Sequence, residues 1–160
     1  MSWVCPVCGG TASVPRWVVD DAGSEGGVDP VSFRPSSDRF GATAATVVTC
    51  SACGHGSLAE PPDPGAMAAA YEDAVDEVSV REEPGQEATG DALMARVEAH
   101  VGPGAMLDIG CFTGSLLVAA KQRGWAPTGV EPSRWAAARA EERGIPVVAP
   151  MLEDATFDDG

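Results

Sequence analysis

Two cysteine pairs in the first third of the chain could bind a metal ion. Each pair has the form C-x-x-C-G, and the four residues are Cys5, Cys8, Cys50 and Cys53. Four thiolates suit tetrahedral coordination, the geometry of a closed structural zinc site. The glycine after each pair permits the tight turn that directs backbone N–H groups at sulfur. The spacing therefore predicts structural zinc, which would supply folding energy rather than catalysis.

Two disulfides or a redox dithiol are the alternatives for the same cysteines. A reducing compartment disfavours disulfides, and a redox dithiol needs only one pair. His55 lies just beyond the second pair and could compete as a ligand. Because four cysteines already fill a tetrahedral site, we expect His55 to be a solvated loop residue.

A second chemical pattern is the segment MLDIGCFTGSLL at 106–117, which has the order strand, glycine turn and helix. In parallel sheets, ligands bind at the carboxyl ends of the strands, where such a turn lies. Gly110 permits a sharp turn, and Gly114 permits the start of the helix to lie close to a ligand. Glu131 follows Gly110 by 21 positions, which places it at the end of the next strand. A carboxylate there can accept hydrogen bonds from both hydroxyls of a ribose.

Nicotinamide dinucleotides use a similar loop, G-x-G-x-x-G, whose middle glycine admits the pyrophosphate. Here Phe112 occupies the middle position, and a bulky side chain is hard to reconcile with a diphosphate. Asp108, two residues before the first glycine, adds a negative charge that repels a diphosphate. The same charge suits the ammonium and sulfonium groups of S-adenosylmethionine. The segment therefore favours S-adenosylmethionine over a dinucleotide.

The sequence resembles a known family at this point. LDIGCFTGSLL at 107–117, together with GVEPS at 129–133, is similar to the class I S-adenosylmethionine-dependent methyltransferases. More narrowly, the chain resembles bacterial members that carry an N-terminal zinc ribbon and a proline-rich linker. This resemblance extends over nearly the whole chain.

The resemblance implies a set of cofactor-binding residues: Asp108, Gly110, Cys111, Phe112, Gly114, Glu131, Pro132, Ser133, Leu152 and Glu153. Gly110 and Gly114 would form the backbone cradle of the methionine and ribose. Asp108 would contact the methionine end, and Glu131 would bind the ribose. Cys111 lies in the same loop, where we expect a small packed thiol rather than a nucleophile.

The remaining candidates concern the adenine and the shape of the pocket. By the resemblance, Pro132 and Ser133 would lie beside the adenine, and Leu152 and Glu153 would line its edge. Phe112 departs from the family pattern, which most often has glycine at this position. Its ring could cover the adenosyl group or narrow the methionine end of the pocket.

The chain divides into three parts: a turn-rich zinc ribbon at 1–60, a linker with helices at 61–104, and an incomplete Rossmann-like domain at 105–160. Strands alternating with short helices after residue 104 indicate an α/β fold with a parallel sheet. The periodicities predict strands at 17–19, 46–49, 105–109, 128–131 and 147–149, and helices at 66–78, 91–101, 113–123 and 134–143. Loops are predicted at 20–38 and 79–90, and the tail at 153–160 has no predicted element.

Composition narrows the classes of partner. The net charge is −14, and neither the first 60 residues nor the rest has a basic face, so electrostatic binding of a nucleic acid is disfavoured. No apolar run reaches the roughly 18 residues that a membrane span requires. The N-terminus has no signal-peptide pattern, and we expect a cytoplasmic protein without membrane contact.

The resemblance also implies a seven-stranded sheet in the order 3-2-1-4-5-7-6, of which this chain would supply strands 3, 2 and 1. The chain would then end before the family's substrate-facing loops, and its catalytic residues are unknown. The strand at 105–109 would have an open, largely apolar edge, and we expect self-association through it.

Three functions compete. The first is a methyltransferase acting on a small molecule, such as a sugar or a natural-product intermediate, as the resemblance implies. The second is a non-catalytic zinc-binding interaction module left by truncation. The third is a ribosomal-RNA methyltransferase, which the acidic charge balance disfavours.

Overall fold

The structure is a computed structural model that describes residues 3–18, 46–61 and 63–157. These residues form one antiparallel and one parallel three-stranded sheet, together with four α-helices. The fold class is therefore mixed α/β, as the sequence predicts. In the described residues, no helix is both long and apolar enough to cross a membrane.

The N-terminal sheet carries the cysteine pairs at its ends. Strand β1 (Ser13–Val18) and strand β3 (Gly56–Leu58) both pair antiparallel with β2 (Thr46–Cys50), which lies between them. The predicted strands at 17–19 and 46–49 correspond to the end of β1 and to β2. The predicted loop at 20–38 lies outside the described residues.

The parallel sheet has the order β4 (Ala105–Ile109), β5 (Ala126–Val130) and β6 (Val147–Ala149). Helix α3 (Ser115–Gln122) connects the first two strands, and α4 (Arg134–Glu142) connects the second and third. The bounds of β4 and β6 agree with the prediction. In the described residues, β4 pairs with β5 alone.

The ends of these helices follow from local chemistry. Gly124 and Gly144 follow α3 and α4 with φ of 89° and 75°, the left-handed conformation that glycine adopts without strain. Ser133 caps α4 by accepting a hydrogen bond from the N–H of Ala136, as predicted. The tail was predicted to have no element, but Leu152–Asp154 forms a 3₁₀ turn.

The first linker helix is shorter than predicted. Helix α1 spans Pro64–Glu72 rather than 66–78, and its N-cap is Asp63. The chain turns after α1 because the buried carboxylate of Asp76 accepts hydrogen bonds from the backbone N–H groups of Val78 and Ser79 and from the Ser79 hydroxyl. These bonds stabilise a turn that competes with a continued helix.

The predicted loop at 79–90 is wrong, and the helix predicted at 91–101 begins and ends earlier in the chain. Ser79–Glu82 forms a 3₁₀ turn, and helix α2 then runs from Glu83 to Glu98. Gly90, which the sequence suggests as a helix boundary, lies inside α2. A Cβ at this position would be only 3.2 Å from the Cβ of Ala119, which explains why the residue is glycine. The glycine therefore permits close packing of α2 against α3.

One compact core holds the parallel sheet to its helices. Its buried members are Cys111, Leu117, Ala140 and Ile145, and partly buried Met106, Val118 and Val147 pack against them. Other apolar side chains of the sheet remain exposed, including Leu107 and Ile109 of β4.

Candidate metal centre and cofactor loop

The cysteine pairs lie in two tight turns of the same construction. In the first, the N–H of Gly9 donates to the carbonyl of Cys5 at 3.0 Å, and the N–H of Cys5 donates to Gly10 at 2.8 Å. In the second, the N–H of Gly54 donates to the carbonyl of Cys50 at 3.0 Å. Gly9 and Gly54 have φ of 72° and 77°, which explains why glycine follows each pair.

The two turns bring the four sulfur atoms together. All four lie within 4.8 Å of one another, and the pairs Cys5–Cys53 and Cys8–Cys50 are each separated by 3.7 Å. A tetrahedron with metal–sulfur bonds of about 2.3 Å has edges of about 3.8 Å. The donor set and its spacing therefore fit a tetrahedral ion, and the cluster could hold a metal such as zinc. His55 is not a member of this group.

The thiols of this cluster differ in acidity. The backbone N–H of Cys8, and after it the N–H of Val7, lower the pKa of the Cys5 thiol to about 6. At Cys53, the N–H of His55 also lowers the pKa, but the neighbouring Cys8 thiol and burial outweigh it and raise the pKa to about 12. Four close sulfur atoms cannot all ionise easily, and a divalent cation would remove that conflict.

The glycine loop connects the end of β4 to the start of α3. The N–H groups of Gly110 and Cys111 both donate to the carbonyl of Val130, at 2.8 and 3.2 Å, which ties the loop to the end of β5. Gly110 and Gly114 have φ of 80° and 77°. The backbone is therefore in the left-handed conformation at both positions, and a residue with a side chain would adopt that conformation only with strain.

Gly114 has a packing role that sequence reasoning missed. A Cβ at this residue would lie 3.2 Å from the Cβ of Ala140 and 3.4 Å from Ile145. The close approach is therefore to α4 and the turn after it. At Gly110, by contrast, a Cβ would meet no atom within 4 Å.

Glu131 fastens the loop from the neighbouring strand. One carboxylate oxygen accepts the N–H of Phe112 at 2.8 Å, and the other accepts the N–H of Ser133 at 2.8 Å. The residue is buried, with only 7% of its surface exposed. Each oxygen retains a further lone pair that can accept a hydrogen bond from a ligand hydroxyl. The predicted ribose ligand thus also orders the loop, a role that its position in the sequence does not reveal.

Asp108 lies on β4 beside Gly129 of the adjacent strand β5, and Glu131 follows Gly129 by two residues. Its side chain is half-buried, and burial raises the pKa of its carboxyl group. Within the described ranges, this carboxylate forms no hydrogen bond or ion pair. A partly desolvated carboxylate without a partner is favourable only where a cation or hydrogen-bond donor can approach.

Cys111 is a packed thiol, as expected. Burial, followed by the nearby charges of Glu131 and Asp108, raises the pKa of Cys111 to about 12. A Cβ at Gly129 would lie only 2.5 Å from its sulfur atom. The residue therefore fills the space between β5 and the loop, and burial disfavours the thiolate form that a nucleophile requires.

Phe112 is the departure from the usual glycine pattern, and its backbone is strained. Its φ is 50°, the only positive value at a non-glycine residue in the described part of the chain. Its ring lies 6.0 Å from that of Trp135, centroid to centroid, with the planes at 54°. The hydrogen bond to Glu131 and this aromatic contact hold a conformation that costs a residue with a Cβ about 1–2 kcal/mol.

Two hollows lie near the candidate site, and one of them is lined by residues of the loop. One, of about 360 Å³, lies beside Glu131, Pro132 and the end of β6. The other, of about 510 Å³, lies between α2 and residues 111–116. Leu152 and Glu153 are exposed and are not among the described residues that line either hollow.

Ser133 and the segment after α1 also meet at this site. The Ser133 hydroxyl donates to the carbonyl of Ala74 at 2.8 Å, while the same oxygen caps α4. The chain just after α1 therefore contacts the N-cap of α4. Sequence reasoning placed this segment in a helix and gave no sign of the contact.

No protein-family model matches this chain, and a search of curated proteins finds no significant match.

Proposed function

We propose that this chain binds S-adenosylmethionine as part of a small-molecule methyltransferase, and that its cysteine pairs form a structural zinc ribbon. The observation that carries the proposal is the pair of carboxylates at the ends of adjacent parallel strands. Asp108 precedes the glycine turn and has no partner in the described part of the chain, and Glu131 binds the turn from the next strand. This arrangement suits a ligand with a cation at one end and ribose hydroxyls at the other.

The chemistry of the ligand distinguishes this proposal from a dinucleotide. A diphosphate would lie against the partly desolvated carboxylate of Asp108, which is unfavourable. It would also need close access to the backbone at Phe112, where a side chain stands instead of the usual glycine. An ammonium or sulfonium group has neither difficulty, because it carries the opposite charge and no phosphate.

When bound, S-adenosylmethionine would supply a methyl group from its sulfonium sulfur to an O–H or N–H acceptor, whose proton would pass to solvent, and S-adenosylhomocysteine would be the second product. The contribution of this chain is to position the donor, and positioning accounts for much of the rate enhancement in such transfers. Glu131 would orient the ribose, and Asp108 would balance the positive charge of the methionine end. The net charge of −14 favours a small acceptor over RNA.

The zinc ribbon in this proposal is structural. In the described cysteine module, residues 3–18 and 46–61, the buried apolar residues are Cys5, Val48 and Cys50. So small a core cannot stabilise the sheet, and metal binding would supply the missing free energy. All four positions of a tetrahedral ion would be filled by sulfur, which leaves none for a substrate.

Calorimetric titration of the zinc-loaded chain with S-adenosylhomocysteine tests the cofactor assignment. We expect binding at one site and none for NAD at the same concentration. Glu131→Gln should weaken binding about tenfold or more, since one hydrogen bond to a charged group is worth about 1.5–3 kcal/mol. Glu60→Gln removes an exposed acid of equal charge outside the candidate cofactor residues and is the matched control. A folded chain that binds no S-adenosylhomocysteine would refute the proposal and favour a non-catalytic zinc module.

A further inference from the structure

A cluster of charged side chains joins two helices to the glycine loop. Glu83 and Glu87 project from α2, and Arg139 and Arg143 come from α4 and its C-cap. Arg143 forms an ion pair with Glu87 and lies 3.6 Å from Glu83, which Arg139 also approaches at 3.4 Å. Arg143 and Glu83 are largely withdrawn from solvent, with exposures of 15% and 13%, whereas Arg139 and Glu87 are each 32% exposed.

Arg143 reaches beyond its acidic partners to the loop itself. Its Nη1 donates to the backbone carbonyl of Thr113 at 2.7 Å and to the hydroxyl of Ser115 at 3.2 Å. That hydroxyl in turn donates to the side-chain oxygen of Gln86 at 3.0 Å. One guanidinium therefore connects α2, the glycine loop and the start of α3.

The Thr113 carbonyl needs this donor. Thr113 is only 1% exposed, and a buried carbonyl without a partner is costly. The Thr113 hydroxyl has no hydrogen-bond partner among the described residues, so it does not hold the residue in place. The carbonyl belongs to the peptide unit that enters Gly114, whose φ of 77° directs the chain into α3.

We propose that Arg143 is a positioning residue for the cofactor loop. It fixes the peptide between Thr113 and Gly114, and thereby the loop backbone that would cradle the ligand. Glu83 and Glu87 hold the guanidinium in the orientation that this hydrogen bond requires. The inference deepens the proposed function and rests on it for the identity of the ligand, but not for the rigidity of the loop.

The chain provides a matched control in Arg123. Arg123 also joins α2 to another helix, with ion pairs to Asp91 at 2.8 Å and Glu98 at 2.5 Å. Its exposure of 26% is similar, and it follows α3 as Arg143 follows α4. Its described hydrogen bonds go to these acids and not to the loop.

The test compares Arg143→Met with Arg123→Met in the zinc-loaded chain. Hydrogen exchange of the segment 110–116, followed by mass spectrometry, reports on the loop without any ligand. We expect exchange in this segment to be about tenfold faster or more in Arg143→Met and unchanged in Arg123→Met. Titration with S-adenosylhomocysteine should show about tenfold weaker binding for the first variant and less than a twofold change for the second.

Arg143→Lys keeps the charge opposite Glu83 and Glu87, and it carries the test if Arg143→Met does not fold. A lysine cannot span the carbonyl, the hydroxyl and both acids at once, so we expect exchange at 110–116 between that of the wild type and that of a released loop. Equal loop exchange in Arg143→Met and Arg123→Met, or wild-type exchange in Arg143→Lys, would overturn the inference. If the wild type binds no S-adenosylhomocysteine, the cofactor assignment fails while the exchange comparison still decides the role of Arg143.

Discussion

The backbone N–H of Phe112 donates a 2.8 Å hydrogen bond to the carboxylate of Glu131, across the gap between two parallel strands. The bond joins the turn after β4 to the end of β5, and the other oxygen of the same carboxylate accepts the N–H of Ser133. A single buried side chain thus sets the positions of the glycine loop and of the start of α4. The geometry of the candidate site therefore depends on a few identifiable contacts, each of which can be removed separately.

The strain at Phe112 predicts an unusual order of stabilities. Phe112→Ala keeps a Cβ at a φ of 50° and loses the contact with Trp135, worth about 0.5–1.5 kcal/mol. Phe112→Gly also loses the ring but relieves the strain, so we expect it to be about 1 kcal/mol more stable than the alanine variant. Urea unfolding followed by circular dichroism measures the difference.

A control position shows whether glycine is favoured over alanine only at residue 112 or throughout the chain. Ala138 is exposed in the middle of α4, where glycine is about 1 kcal/mol less favourable than alanine. Ala138→Gly should therefore lower the unfolding free energy, whereas at residue 112 the glycine variant should have a higher unfolding free energy than the alanine variant. If Phe112→Ala is as stable as Phe112→Gly, the left-handed conformation is wrong.

The ionised carboxylate of Asp108 should lower the stability of the free chain and raise its affinity for the proposed ligand. Burial raises the pKa of its carboxyl group, so the folded chain holds this proton more tightly than the unfolded chain does. The stability of the free chain should then fall as the pH rises from the ordinary pKa of an aspartate through the raised value. Asp108→Asn removes the buried charge and should be more stable than the wild type at pH 7, with a smaller difference below the ordinary pKa.

Binding should respond to Asp108 in the opposite direction. The proposed cationic ligand prefers the ionised carboxylate, so affinity for S-adenosylmethionine should fall as the pH drops through the raised pKa. Asp108→Asn should weaken binding at pH 7 and flatten this dependence, as titrations at several pH values would reveal. Equal affinity of the variant and the wild type at pH 7 would mean that Asp108 does not face the ligand.

The contact between Gly129 and Cys111 predicts a compensating pair of substitutions. A Cβ at 129 would lie 2.5 Å from the Cys111 sulfur, so Gly129→Ala should cost about 1–3 kcal/mol of unfolding free energy. Cys111→Ala removes that sulfur, and the double variant should be more stable than Gly129→Ala alone. Purely additive costs in the double-mutant cycle would contradict the packing described for this strand.

Much of the parallel sheet could be predicted because its signals are local. The strands at 105–109 and 147–149 are short apolar runs, and α4 begins at a serine cap and ends before a glycine. The cysteine cluster was likewise predictable, since spacing alone brings each pair into one turn. These features depend on residues that are close in the sequence.

The errors have a common physical cause in contacts between distant residues. The first two turns of helix α2 were missed because they are polar, and their stabilising partners are arginines near residue 140. Gly90 looked like a helix boundary, but it allows α2 to pack against Ala119 of α3. The anchoring bonds of Glu131 were also missed, since they join backbone groups that only the fold brings together.

The cysteine cluster predicts that zinc is required for one part of the fold. Removal of the metal with a strong chelator should expose the amides of Val47 and Val48 in β2, because little buried apolar surface remains to hold that sheet. The amides of Gly110 and Gly129 should stay protected, since they donate to the carbonyls of Val130 and Pro146 within the parallel part of the fold. Amide exchange followed by NMR resolves the two sets, and metal analysis should give one zinc per chain.

Cys50→Ser should reproduce the effect of the chelator, whereas Cys111→Ser should leave the metal content unchanged, because Cys111 lies outside the cluster. Protection of β2 that survives complete loss of metal would refute a structural role for zinc.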